Sequence, residues 1–532
     1  MKSPFTALRT AICGLACGLI FALAGCSQEE QAAAENPLRI LAGSELRDIA
    51  DLAPEITQAT GVSFTFEYSG TLDAVEKVAA GADFDAVWVS HGKYLQMTSG
   101  ARERVKMSEK TMLSPVVLGL KESRARALGW CGNADVTWQD IATAAKAGKF
   151  TFGMTNPASS NSGFTALVGL TAALSATSDA LTIADVQANK TAPFFKAQRL
   201  TSGSSGWLAE AFLRDQSQVD GIVNYESVLL SLNKESQLTE KLCLIYPKEG
   251  IINADYPLML INDARKADFE KVLTFLRSPE FQQKMMDKTL RRPVNPAVKL
   301  SSEFPQALLI ELPFPGQIEV IDALLEGFQN AVRIPAHSWF ILDTSGSMGN
   351  NNGIEQLRNA LIGLSGDDKS VSGRLARFLN REKVEMTTFS DRVTPVRTFN
   401  MGSNDTDNAA TRTAIANFAS GLRADGGTAI YDAVADTYAA ALTARKKEGT
   451  RYYQTIVLMT DGRNTDGKDF QAFSKWYATL PAADKGIRIF PVGFGNADME
   501  ELKKLAELTG GRAFDGRKSE LRQAFKEIRG YQ

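Results

Sequence analysis

The chain has 532 residues, too many for one ordinary core and enough for about three domains of ~150 residues each. Its 44% hydrophobic and 23% charged residues describe a globular protein, neither disordered nor membrane-embedded throughout. Lys+Arg number 59 against 61 Asp+Glu, a formal net charge of −2, which argues against a broad basic surface for nucleic acid.

At the N-terminus, Lys2 and Arg9 precede an apolar, small-residue run from Ala11 to Ala24. The run is too short to span a membrane comfortably and has the pattern of a secretory signal. It ends in Leu23-Ala24-Gly25-Cys26, which resembles the bacterial lipoprotein cleavage box. The resemblance implies removal of residues 1–25 and a lipid on Cys26, so that the membrane is a partner and the protein faces the periplasm or exterior from the cell envelope. Ser27 rather than an aspartate after the cysteine favours the outer membrane where the cell has one. Residues 26–36, with the polar stretch SQEEQAAAEN, read as a tether. Cys131 and Cys243 are then the remaining cysteines. In an oxidising compartment they can form a disulfide or stay as two separate buried thiols, and their flanks WCGN and KLCLIYP do not decide. Two cysteines with His91 and His337 do not supply the usual structural zinc arrangement.

Residues 37–300 alternate apolar runs with amphipathic stretches: LRILAG, SELRDIADLAPEITQATG, VSFTFEYSG, TLDAVEKVAAG, DFDAVWVS. This β-α-β rhythm predicts an α/β unit with a mostly parallel sheet. Its strand-to-helix junctions carry small hydroxyl residues, at Gly43-Ser44, Ser69-Gly70-Thr71, Ser159 to Gly163 and Ser202 to Gly206. Each alone reads as an ordinary N-cap. Four together can converge their helix N-termini on an anion. The stretches LRILAGSELRDIA, EYSGTLDAVEKVAAGADFDAVWVSH, FGMTNPASSNSGFTALVG, DGIVNYESVL and FLRSPEFQQKMMD resemble the two-lobed periplasmic solute-binding proteins, especially the molybdate- and sulfate-type oxyanion binders. The resemblance implies a first lobe from about 37 to 115 plus 225 to 300, a second lobe between, and a small-molecule or anion ligand at the hinge. Ser44 and Ser69 would contact it from the first lobe, and Ser160, Asn161, Ser162 and Tyr225 from the second. Asn156, Asn161, Asn224 and Glu226 give the cleft more amide and acidic character than a pure oxyanion site needs, and Glu226 would repel a dianion unless it points away.

Residues 301–335 form a connector. Pro305, Pro313 and Pro315 break its first half, and Ile321, Leu324, Leu325, Phe328 and Val332 recur at helical spacing. This stripe predicts a packed hinge helix docked on a neighbouring domain.

Residues 336–532 alternate again: WFILD, a helix near IEQLRNALIGL, KVEMTTFS, VTPVRTF, a helix TRTAIANFASGL, then AIYDAVADTYAAALTARKK, QTIVLMTDG, DFQAFSKWYATL, IRIFPVGFG, MEELKKLAELTG and LRQAFKEI. Continuous apolar strands between amphipathic helices predict a doubly wound, Rossmann-like sheet, whose ligands bind beyond the carboxyl ends of the strands. Asp343, Ser345 and Ser347 follow WFIL, Asp461 follows IVLM, and Thr428 opens a helix at a glycine-rich loop. Hydroxyls and carboxylates are hard ligands, suited to Mg²⁺, Mn²⁺ or Ca²⁺. These five residues match the Asp-x-Ser-x-Ser, Thr and Asp of the metal-ion-dependent adhesion site, and with GGTAIYDA, LMTDG and GFGNAD the unit resembles the von Willebrand factor A domain. The resemblance implies a divalent metal ion, Mg²⁺ foremost, and a protein partner whose acidic residue completes its coordination. The alternative for Asp-x-Ser-x-Ser alone is a capped helix start.

No enzyme is predicted. A hydrolase using Ser345 would want a histidine base, and His337 lies at the other end of the strand, roughly 20 Å away at ~3.3 Å per residue. Neither a Gly-x-Ser-x-Gly elbow nor a phosphate-binding Gly-x-x-x-x-Gly-Lys-Ser/Thr loop occurs. The leading functional expectation is a lipid-anchored envelope protein combining solute binding with metal-dependent protein binding. Its rivals are a transporter's solute-binding protein with a docking domain, and a scaffold for assembly of an envelope complex.

Overall fold

The computed structural model describes residues 36–175, 177, 179–305, 309–350, 352–368, 371–517 and 521–531. Cys26 and the leader before it lie outside the described residues. Among the described residues no helix is long and apolar enough to cross a membrane.

The first unit contains β1 (Leu38–Gly43), β2 (Phe64–Ser69), β3 (Ala86–Trp88), β4 (Met107–Lys110), β5 (Met112–Lys121) and β6 (Phe152–Thr155). It continues with β7 (Gln198–Ser202), β8 (Gly221–Tyr225), β9 (Leu242–Ile245), β10 (Asn253–Ala254), β11 (Pro257–Leu260) and β12 (Arg292–Pro293). One sheet runs β2-β1-β3-β11-β4, and a second runs β10-β5-β8-β6-β7 with β9 and β12 also paired to β5. The first sheet is parallel through β2, β1 and β3 and antiparallel from β11 onward. The chain returns to the first lobe at β11, later than the crossover near 225 expected from the family resemblance. The reason is the antiparallel ladder of β9 on β5, Leu118 opposite Ile245 through Lys121 opposite Leu242. A disulfide between Cys131 and Cys243, with Cα atoms 5.5 Å apart, ties the same strand to the segment beyond β5 and closes the choice the sequence leaves open.

The second unit contains β13 (Ala336–Asp343), β14 (Lys383–Phe389), β15 (Arg397–Asn400), β16 (Tyr453–Thr460), β17 (Arg488–Gly493) and β18 (Phe514–Asp515). They form one sheet in the order β15-β14-β13-β16-β17-β18. Neighbours are parallel except at β15. The strand expected over VTPVRTF begins at Arg397, and Val396 before it is exposed. Every residue of β13 is buried. Its side chains alternate between the two faces: Phe340 and Leu342 join one apolar cluster, Trp339 and Ile341 the other. This two-sided burial makes WFIL a continuous apolar run rather than an alternating one.

The connector helix Ile318–Gly327 continues into a single π turn, Phe328–Val332. Ile321, Leu324, Leu325, Phe328 and Val332 are all buried and belong to the first unit's core, so the stripe docks as expected. Before the helix, Phe314 stacks on His91 with ring centroids 4.3 Å apart and meets Phe164 edge-on at 5.8 Å.

Candidate functional site

β13 and β16 lie side by side and parallel, so Asp343 and Asp461 emerge at the same edge of the sheet, the edge where doubly wound folds bind ligands. Asp343 is fully buried. Its Oδ1 accepts the Ser345 N–H at 2.8 Å and its Oδ2 accepts the Thr460 hydroxyl at 2.5 Å. Ser345 Oγ lies 3.0 Å from Ser347 Oγ, and Ser347 donates to Asp461 Oδ1 at 2.9 Å. Four of the five residues predicted as metal ligands are thus joined in one hydrogen-bonded chain. Thr428 reaches the same place on another loop. A Cβ at Gly462 would lie 3.2 Å from Ser347 Oγ and 3.7 Å from Thr428 Oγ1, so the two hydroxyls flank one point.

Thr428 is held there by its backbone, whose N–H donates to Asp466 Oδ2 at 2.9 Å and to Thr465 Oγ1 at 3.0 Å. The Gly346 N–H donates to Gly426 O at 2.9 Å and stitches the serine loop to the Thr428 loop. Gly495, at φ +56°, passes behind Asp461, where a Cβ would sit 3.0 Å from the aspartate's own Cβ. A side chain there would be strained and crowd the acid.

Burial pushes the Asp343 carboxyl up to about 6, with the charge of Asp461 adding to the effect. Burial raises Asp461 as well. The opposing pull on both acids comes from hydroxyl and backbone N–H donors rather than from a cationic side chain. Two buried acids with three hydroxyls suit a hard divalent cation. Among the described residues no group of three His, Cys, Asp or Glu is arranged to hold a metal, so a softer, nitrogen- or sulfur-rich centre has no candidate there. Gly346 is exposed and Ser347 half-buried, so the site opens to the surface on the serine side. His337 sits at the opposite end of β13, fully buried, with Nδ1 2.9 Å from Glu448 Oε2.

A cavity of 420 Å³ runs along the junction of the first unit's two lobes and is closed on one side by the second unit. Ser44 and Ser69 both line it. Ser69 Oγ donates to Asp73 Oδ2 at 2.5 Å, at the start of the helix Thr71–Ala79. Ser160 and Asn161 face a smaller recess beside His91 and Phe314 instead. Ser162 is buried, its hydroxyl within 2.9 Å of Thr155 Oγ1 and 2.8 Å of Ser205 Oγ. The Tyr225 hydroxyl accepts from Asn161 Nδ2 at 3.3 Å, and burial raises its pKa well above the usual tyrosine value. The six residues expected from the resemblance are therefore divided between the cavity, the recess and a buried hydroxyl network.

Glu226 points away from the cleft, which removes the expected repulsion. It accepts both Nε and Nη2 of Arg292 at 2.7 and 2.8 Å and the Tyr246 hydroxyl at 2.6 Å. Asn224 donates to Ser205 O at 2.9 Å. Asn156 holds the two units together: its Nδ2 donates to Arg529 O at 3.2 Å and its Oδ1 accepts from Gln329 Nε2 at 2.9 Å. The cavity is also lined by Arg47, Trp207, Arg512 and Glu527, which the sequence reading does not single out. Arg512 and Glu527 lie in the other unit, and no local motif marks them.

Residues 38–288 match the family model described as bacterial extracellular solute-binding protein, and residues 339–527 the one described as von Willebrand factor type A domain. The chain therefore joins a solute-binding domain to a von Willebrand factor A domain in a two-domain α/β architecture. No curated protein matches it. Among solved structures it is similar to a periplasmic thiamin binding protein, at 11% identity and TM-score 0.44 over 56% of this chain and 96% of that one. It is also similar to the periplasmic binding protein AfuA from Actinobacillus pleuropneumoniae, at 14% identity and TM-score 0.43 over 56% and 98%. A ferric binding protein from Campylobacter jejuni matches at 13% identity and TM-score 0.41 over 56% and 97%. Likenesses this faint say nothing about a ligand.

Proposed function

We propose that this chain is a lipid-anchored cell-envelope protein that binds a small solute through its first domain and a protein partner through a divalent metal ion on its second. The observation that carries the metal reading is the hydrogen-bonded chain from Asp343 through Ser345 and Ser347 to Asp461, with the Thr428 hydroxyl beside it. Asp343, Ser345, Ser347, Thr428 and Asp461 would hold the ion, either directly or through water. The two carboxylates formally match a dication's charge, so what a partner supplies is a further oxygen ligand at a coordination position these residues leave open, and a carboxylate is the hard donor suited to it. The ion is a bridge in this reading, and no bond-making step is assigned to it.

The test is capture of a partner from envelope extract by the full chain and by Asp343→Ala, each with Mg²⁺ or with a chelator. Capture that needs both Mg²⁺ and Asp343 is the expected result; capture indifferent to both removes the metal-bridged reading. The lipid anchor rests on the Leu23 to Cys26 box. On fractionation, Cys26→Ala is expected to move the protein from the membrane to the soluble fraction, and continued membrane association would refute the anchor. The solute reading rests on the family match of the first domain together with the cavity at its lobe junction.

A further inference from the structure

Resting on the solute reading above, we infer that the solute site has a third wall, contributed by the von Willebrand factor A domain, and that its ligand is a metabolite-sized organic anion. The first lobe supplies Arg47 and Ser69 to the cavity, the second lobe supplies Ser204 and Trp207, and the C-terminal domain supplies Arg512 and Glu527. The cavity's 420 Å³ lies within the ~300–1,000 Å³ of pockets that take organic small molecules. A tetrahedral inorganic oxyanion would fill a small part of it.

The domain junction beside the cavity is tightly built. Besides the Asn156 bonds, Thr201 donates to Gly530 O at 3.3 Å, and Arg488 donates to Thr201 O at 3.3 Å and to Asp215 Oδ2 at 3.1 Å. Tyr531 stacks over Trp207 with ring centroids 6.2 Å apart. The backbones of Gly203 and Gly530 touch, so that a Cβ at Gly530 would collide with Gly203.

The charges that face the cavity select its ligand. Glu67 accepts from Lys77 at 2.8 Å, and Asp73 is held by the Ser69 hydroxyl at 2.5 Å and by Lys77 at 3.3 Å. Arg529 is engaged by Glu382 and by the carbonyls of Ala376 and Arg377. Arg512 gives Nη1 to Glu527 at 2.9 Å. Among the described residues, its Nε and Nη2 and all the N–H groups of Arg47 make no hydrogen bond to protein. Both guanidiniums lie near aromatic rings: Arg512 Cζ is 3.6 Å from the Trp207 ring centroid, and Arg47 Cζ is 5.2 Å from that of Tyr68.

A guanidinium so placed keeps its N–H edge for a carboxylate or phosphate, which it grips through two parallel bonds. The indole and phenol rings, with Phe66 beside them, offer an apolar surface to the rest of the ligand. A small molecule with one carboxylate or phosphate on a ring or hydrocarbon body meets both demands. Because Arg512 and Arg47 come from different domains, such a ligand bridges them, and solute affinity is linked to how the two domains are docked.

The test titrates the full chain with phenyl phosphate and benzoate, with sulfate and molybdate, with neutral benzyl alcohol and with cationic benzylamine, reading Trp fluorescence and the melting temperature. Binding of an organic anion, weakened at least tenfold by Arg512→Ala and by Arg47→Ala and less by Arg512→Lys, is the expected result. Organic-anion binding unchanged in Arg512→Ala overturns the third wall and leaves the solute reading intact. Preference for sulfate or molybdate, or for the neutral or cationic probe, overturns the ligand class. No binding by any probe overturns both the solute reading and this inference. Melting curves of the metal-free variants separate a local loss of binding from a failure to fold.

Discussion

In a thermal melt, Asp343→Asn is expected to lose the Mg²⁺-dependent stabilisation of the wild-type chain, yet to be at least as stable as wild type without metal. A metal that binds the folded state alone adds about 2.7 kcal/mol at a hundredfold excess over its dissociation constant, and an amide at position 343 forfeits most of that. The metal-free half follows from burial. Burial holds the Asp343 carboxyl at about 6 in the fold against an ordinary aspartate value of 3.8, so the folded state disfavours its charged form. That penalty is absent below the unfolded value and complete above about pH 6, where it amounts to roughly 3 kcal/mol at ~1.36 kcal/mol per pKa unit. Asparagine has no charge to bury. It has one acceptor oxygen for two donors, Ser345 N–H and Thr460 O–H, so it gives up one hydrogen bond of about 1 kcal/mol. At pH 7.5 the metal-free variant therefore gains, and at pH 4 the gain is gone. A Mg²⁺ response that persists in Asp343→Asn would place the ion elsewhere.

Glu382→Ala is expected to cost about 3–5 kcal/mol of stability, the scale of breaking a buried ion pair from one side. Glu382 is 2% exposed and serves three donors. Arg333 of the connector reaches its Oε1, Arg529 of the C-terminal helix reaches the same oxygen at 2.9 Å, and the Leu379 N–H reaches Oε2 at 2.9 Å. Alanine leaves two buried guanidiniums without their shared counter-charge. Burial already lowers the pKa of Arg529. The damage should also reach the solute cavity, because Arg529 anchors the helix that carries Glu527 and leads to Gly530. Urea unfolding of Glu382→Ala checks the figure, with Arg333→Met/Glu382→Leu/Arg529→Leu as the comparison. The apolar triple should recover much of the loss, since no charge remains buried. A single variant within about 1 kcal/mol of wild type would show that the cluster is solvated or rearranges.

Much of the proposed metal site is legible in the chain because its residues sit at fixed offsets from strands that announce themselves. WFIL and IVLM are apolar throughout, since helices cover both faces of the sheet, and Asp343 and Asp461 follow those runs directly. The tight turn after β13 then brings Ser345 and Ser347 along with Asp343. The solute cleft is less legible. Hydroxyl-rich junctions mark helix starts, but the same serines serve three ends: Ser69 lines the cavity, Ser160 the recess, and Ser162 disappears into a network with Thr155 and Ser205. A one-residue difference along the first turn of a helix swings the side chain by about 100°, and composition does not report which way it faces. The lobe crossover lies later than the family resemblance implies for a similar reason, because pairing of β9 with β5 is decided by contacts across more than a hundred residues.

By itself, the sequence determined the two α/β units, the apolar docking stripe of the connector and the set of oxygen donors at the end of β13, since periodicity and local spacing suffice for each. Tertiary structure alone decided the pairing of Cys131 with Cys243, the turning of Glu226 toward Arg292, and the use of Asn156 as a joint between domains. It alone brought Arg512 and Arg47 to the lining of one cavity. Such pairings depend on the docking of surfaces distant in the chain, which hydrophobic burial and a few buried hydrogen bonds select together and which no local pattern encodes.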